Sequence, residues 1–214
     1  MYIPDHFRMP PADVPVFLNE AHTGTLVSVA PSGRPVASFL PWAFIDGDTL
    51  TSHIGRINEQ GSHHGEALVI LMGDDAYVPE TWMKPGAAAS WVYETVHLYG
   101  TLTIHDDPGW IKKSWADMMA RFSDKTLADY DDDWLDRQTR ASLGVEFRIT
   151  EIQAKSKLAQ NRSSEEIASI ASHVTVGCPH LAERMQTVSG PHAEARETRV
   201  RNAVPYATLE EGTQ

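Results

Sequence analysis

A chain of 214 residues with 42% hydrophobic and 22% charged residues is long enough to bury a sizeable core as one domain of ordinary globular composition. Its net charge of −11 opposes non-specific nucleic-acid binding, which needs a basic surface to release counterions, and no clustered Lys/Arg run offsets it. No apolar run has the length of a membrane span, "MYIPDHFRMPP" lacks the order of a secretory leader, and the lone Cys178 allows neither an internal disulfide nor a zinc cluster, so a cytoplasmic protein is expected.

In chain order, "PADVPVFLNEA" (11–21) suits a short helix, and "GTLVSVAPSGRPVASFLPW" (24–42) predicts two strands folded about "PSG". "TLTSHI" (49–54) and "EALVILM" (66–72) read as two further strands. "ASWVYETVHLYGTLTIHDD" (89–107) reads as one long β-rich segment, with Gly100 placed for a bend or bulge. "DDPGWIKKSWADMMARF" (106–122) opens with Asp and Pro, as helices do, and repeats Trp and Met at helical spacing; that stripe reads as core. "DDDWLDRQTRASLG" (131–144) predicts a helix with acids at its start and Gly144 as its C-terminal cap. In "LGVEFRITEIQAKSKL" (143–158), Val145, Phe147, Ile149 and Glu151 fall on one face of a last strand. "SSEEIASIASHV" predicts a helix whose Ser163 and Glu166 form a capping box, and 189–214 is polar and weakly patterned, an arm or tail. The division expected is a domain over 1–162, a helical segment over 163–188 and the arm over 189–214. Many short strands with interspersed helices indicate a mainly β fold with α additions, a closed or split barrel.

Three stretches carry chemistry. "SHIGRINEQGSHHG" sets Arg56 and Asn58 beside glycines, where a guanidinium can grip a phosphate or carboxylate; a solvated loop is the competing reading. "KSKLAQNR" (155–162) places Lys155 and Lys157 on one side of a strand, followed by Gln160 and Asn161; lysine stems lying along a strand end would explain it equally. On "SWVYETVHLYG", Trp91, Tyr93, Thr95 and His97 face one way and Val92, Glu94, Val96 and Leu98 the other, giving an aromatic wall fit for a planar ligand or for a core.

The ordered set "GTLVS", "LPWAFID", "SHIGRIN", "EALVILMG", "WVYETVHLYG", "LGVEFRI" and "KSKLAQNRS" resembles the PaiB-like proteins, FMN-binding split-barrel negative transcriptional regulators. The resemblance implies a split β-barrel homodimer with a planar cofactor at the subunit interface and the Arg56 loop near the Lys157 segment. It implies cofactor-binding roles for His53, Arg56, Asn58, Trp91, His97, Lys155, Lys157, Gln160 and Asn161. Departures from the family pattern fall on ring-contacting positions: "SHIGRINEQG" lacks its first Gly, both Ala, its Pro and its Trp, and a Trp-Asn-Tyr triplet becomes Trp91-Val92-Tyr93.

Those departures, with the added histidines, are similar to the heme-dependent piperazate synthases within this family. They imply heme b in place of FMN, with His63 or His64 on the iron and His53 and His97 behind them; beyond the matching region, His173 and His180 are alternative candidates from a C-terminal segment. The implied reaction closes the N–N bond of piperazate from N5-hydroxyornithine, with Glu94 orienting an ammonium group or accepting a proton and Tyr93 donating a hydrogen bond. An FMN-binding regulator and a heme-degrading oxygenase are the alternatives; a small amino-acid substrate and a second copy of the chain are the expected partners, and nucleic acid is disfavoured.

Overall fold

The computed structural model describes residues 1–203, apart from the side chains at 45, 46 and 201–203. Seven strands form one sheet in the order β2-β1-β5-β6-β7-β4-β3. They are β1 (Thr23–Val29), β2 (Pro35–Pro41), β3 (Ala43–Asp46), β4 (Thr49–Gly55), β5 (Gly65–Val78), β6 (Ser90–His105) and β7 (Ser142–Lys157). β1 pairs antiparallel with β2, from Thr23 opposite Pro41 to Val29 opposite Pro35, and β4 pairs antiparallel with β7, His53 opposite Gly144. The expected hairpin is therefore present, its loop turning at Gly33, whose φ of 85° lies where a side chain is strained.

The chain packs as two compact units. The first holds Met9–Gly73 and Thr95–Ala154; the second holds Tyr2–Arg8, Asp74–Glu94 and the chain from Lys155 onward. Each has its own core. In the first, Leu26, Trp42, Leu50, Val69, Leu71, Val96, Leu98, Val145 and Phe147 come from both sides of the hairpin and from the long strands. Fully burying side chains of this size contributes roughly 1.5–3 kcal/mol each. Helix α1 (Asp13–Glu20) buries Leu18 against this core.

Helices α2 (Pro108–Phe122) and α3 (Asp132–Ala141) are inserted between β6 and β7, and both start as their sequences dictate. Asp107 accepts a hydrogen bond from the Trp110 amide with Pro108 at the first turn, and Asp131 accepts one from the Trp134 amide. Gly144 is not the cap expected of it. α3 ends at Ala141 and β7 begins at Ser142, so Gly144 lies in the strand with Trp110 packed where a Cβ would stand. Gly100 likewise sits inside the continuous β6, where the Arg148 carbonyl leaves no room for a side chain.

In the second unit, α4 (Ser164–Val174) starts at the expected capping box of Ser163 and Glu166. It packs Ile167, Ile170, Ala171 and Val174 with Leu158, Leu181 and Met185. α5 (Pro179–Arg184), a π-helical turn over Met185–Ser189 and α6 (Gly190–Ala203) complete it. The segment expected to be an arm is thus helical over 190–203, and its residues 204–214 lie outside the described residues. Among the described residues no helix is long and apolar enough to cross a membrane.

Candidate functional site

In the first unit, strand β4, the helices α2 and α3 and the loop between them line an open cavity of about 300 Å³. His53 lines it with Trp115, Met118 and Met119 of α2, Tyr130, and Trp134 of α3. The tryptophan and methionine stripe of α2 is therefore half-buried cavity wall, not sealed core. Its ring walls are ordered: Tyr130 stacks on Trp134 at 4.8 Å and 19°, and His53 meets Trp115 edge-on at 5.9 Å. The His53 Nδ1 is sealed without a hydrogen-bond partner, and burial lowers its pKa, so the imidazole is neutral at neutral pH.

Arg56 follows β4 but is not an open anion clamp. Its guanidinium grips both oxygens of Asp106, at 2.9 and 2.5 Å, and donates to the carbonyls of Arg140 at 2.7 Å and Ser142 at 3.1 Å. The paired hydrogen bonds hold the Asp106 carboxyl below its usual pKa. Asn58 is also spent locally, accepting from the Gln60 amide and donating to Ser38 at 3.0 Å.

The histidine pair separates. His63 is buried, its Nδ1 sharing a hydrogen bond of 2.8 Å with the Ser28 hydroxyl, which also accepts from Gln60; its Nε2 is buried without a partner. His64 faces solvent. His97 lies half-buried on β6, its pKa lowered by burial and then by the positive N-terminus.

The remaining expected residues fall in the second unit, and their arrangement differs in kind. The ammonium groups of Lys155 and Lys157 stand 5.4 and 5.8 Å from the centre of the Tyr93 ring. Their hydrogen bonds go to neutral oxygens, Lys155 to the Tyr2 carbonyl at 3.4 Å and Lys157 to Ser90 at 2.8 Å, and no carboxylate pairs with either among the described residues. Trp91, half exposed, leans on Tyr77 at 5.6 Å. A second cavity of about 190 Å³ is lined here by Trp91, Lys157, Asn161, Arg162, Ser90 and Phe7 among others. Gln160 is structural: it accepts from the Leu158 amide and donates to the Ser156 carbonyl.

Glu94 lies on β6 on the face of Val92 and Val96, and that face is buried, but its carboxylate is committed. Arg184 approaches both its oxygens, at 3.2 and 3.0 Å, and the Ser156 hydroxyl donates to it at 2.6 Å. Sequence reasoning missed Arg184, since nothing local in "HLAERM" marks a partner ninety positions away. It also missed Ser28 beneath His63. His173 stacks on Trp82 at 4.6 Å, and His180 is exposed.

The donor set bears on which cofactor fits. Among the described residues no three His, Cys, Asp or Glu side chains gather as a metal-binding group, so a centre built of protein ligands alone does not fit. A heme asks less, a single axial side chain and cations for its carboxylates, and FMN asks for cations at its phosphate and a ring platform. Lys155, Lys157, Tyr93 and Trp91 meet the requirements that the two share.

Comparison with known proteins agrees with this organisation. The chain is 25% identical over 210 residues to the protease synthase and sporulation protein PAI 2 of Bacillus subtilis (strain 168), covering 91% of this chain and 93% of that protein. The conserved hypothetical protein Rv2991 of Mycobacterium tuberculosis superposes with a TM-score of 0.53 at 17% identity, over 73% of this chain and 91% of that one. The flavocytochrome Anf3 of Azotobacter vinelandii does so with a TM-score of 0.52 at 14% identity, over 70% and 68%. These similarities show the fold, a split barrel with helical additions. The family model described as "Putative FMN-binding domain" matches residues 1–151, and the chain belongs to that family.

Proposed function

We propose that this protein binds heme b and closes the N–N bond of piperazate from N5-hydroxyornithine, working as a homodimer. The observation that carries cofactor binding is the pair of ammonium groups beside the Tyr93 ring, without a carboxylate partner among the described residues, in a chain of net charge −11. Two ammonium groups beside one ring, with neutral oxygens as their hydrogen-bond partners, can hold an anion, and a planar molecule with acidic substituents satisfies both the lysines and the rings. That Anf3 is by name a flavocytochrome accords with a fold that serves either kind of cofactor.

Heme is preferred over FMN because the ring-contacting positions of the family pattern have changed while the cations remain, and because imidazoles have been added. Of the two adjacent histidines, His64 is the accessible one, and His63 is held by Ser28. Heme bound here would supply a Lewis-acid iron that weakens the N–O bond of the hydroxylamine. The chain itself has three tasks: to hold the anionic groups at Lys155 and Lys157, to present Tyr93 as a hydrogen-bond donor, and to keep the substrate chain curled. Glu94, tied to Arg184 and Ser156, does not itself take the proton of the α-amine. The closure is redox-neutral: nitrogen loses hydroxide and gains the α-amine, and one water leaves.

The test is a spectrum and an assay. Freshly purified protein is expected to show a Soret band and to convert N5-hydroxyornithine to piperazate without added reductant. A yellow protein with a flavin spectrum and no uptake of heme would overturn the heme reading. It would support the second one, an FMN-binding PaiB-like regulator, which the family membership and the same lysine–tyrosine surface favour.

A further inference from the structure

The cavity beside His53 has properties that a zwitterionic amino acid would not use. Its lining comprises His53, Trp115, Met118, Met119, Ser123, Leu127, Tyr130, Trp134, Gln138 and Ser142, with no Asp, Glu, Lys or Arg. A charged group placed there would give up part of its hydration with no charged side chain to offset the loss. The zwitterionic substrate of the proposed reaction is therefore not the occupant.

Size and shape narrow the choice. At about 300 Å³ the space is roughly twice the ~150 Å³ of an apolar cavity that takes up benzene. Tyr130 and Trp134, stacked on each other, offer an aromatic wall to a flat molecule, and the thioethers of Met118 and Met119 adapt to its edge. Polar capacity is sparse but placed. His53 makes no hydrogen bond through either ring nitrogen; Nδ1 is sealed, while Nε2 is not among the sealed atoms. Burial keeps the ring neutral, so Nε2 can accept from a hydroxyl or donate to a carbonyl according to its tautomer.

We infer that this cavity is a binding site for an uncharged planar molecule of about two fused rings carrying one hydroxyl or carbonyl group, which His53 Nε2 engages. The inference does not rest on the heme reading. The experiment is isothermal titration calorimetry of the full chain, as purified, with 2-naphthol, naphthalene and 2-naphthoate. Saturable one-to-one binding of 2-naphthol is expected, with 2-naphthoate at least tenfold weaker. In His53→Phe the affinity for 2-naphthol falls about tenfold, while naphthalene stays within about twofold. Met119→Trp, which fills the space, abolishes both. Because the three-ligand comparison on the unaltered protein stands by itself, a variant that failed to fold would not rescue the inference. It is overturned by absence of saturable 2-naphthol binding, by equal affinity for 2-naphthoate, or by loss of binding after saturation with heme or FMN, which would make the cavity part of the cofactor site.

Discussion

The cavity beside His53 and the surface around Tyr93 are built from similar rings but opposite electrostatics. In the first, aromatic and thioether side chains line a volume without a single charged residue, and the imidazole on its wall is held neutral by burial. In the second, two ammonium groups stand beside one ring with neutral oxygens as their hydrogen-bond partners. The difference teaches that aromatic content alone does not define a site. What surrounds the rings decides whether they select a neutral molecule or an anion.

The largest effect available is at the buried ion pair behind the charged surface. Arg184→Met leaves the Glu94 carboxylate buried beside Ser156 with no cation, and a loss of roughly 3–5 kcal/mol in denaturant unfolding is expected. Adding Glu94→Gln should recover much of it; if the double variant is no more stable than the single one, the pair is not coupled as described. In the first unit, Gly144→Ala drives a Cβ into the Trp110 ring and should cost about 1–3 kcal/mol. The same change at Gly47, which has open space around it, should cost almost nothing.

Smaller effects bear on ligands. Lys155→Ala and Lys157→Ala should each weaken heme or FMN binding about tenfold or more in a spectroscopic titration, on the scale of a charged hydrogen bond of ~1.5–3 kcal/mol, with stability nearly unchanged. Equal affinity in both variants would remove the charged surface from the site. For pH, His53 and His97 both have lowered pKa values in the folded chain, so the unfolded chain binds more protons between the folded values and about 6.5. Stability is then full above that range and declines as pH falls through it, and replacing both histidines by Gln should flatten the profile of Tm against pH. Least of all, Arg56→Lys should leave the denaturant midpoint almost unchanged, since the ion pair to Asp106 is exposed.

Much of the fold was legible because its signals are local. The hairpin about "PSG", the Asp-Pro start of α2 and the Ser163–Glu166 capping box each lie within a few residues. β3 escaped because four residues carry too little alternation, and α6 because its helix has no apolar stripe to reveal it. β7 was read with one inward face, yet Val145 and Phe147 are buried in one unit while Ser156 and Leu158, of opposite parity, are buried in the other. The site was legible in its residue types and not in their partners. The spacing of Lys155 and Lys157 puts both on one face, but Arg56 meets Asp106 fifty positions away and Glu94 meets Arg184 ninety positions away, and pattern reading has no access to such pairs.

Arg56 touches the chain both where it leaves β6 for α2, at Asp106, and where it returns from α3 to β7, at the Arg140 and Ser142 carbonyls. The helical excursion is thereby clasped at its neck. Since loop-closure entropy grows only slowly with length, residues can be added to or removed from the loop between α2 and α3 without disturbing the strand register on either side. The width of the neutral pocket can therefore drift over generations while the sheet beneath it stays put.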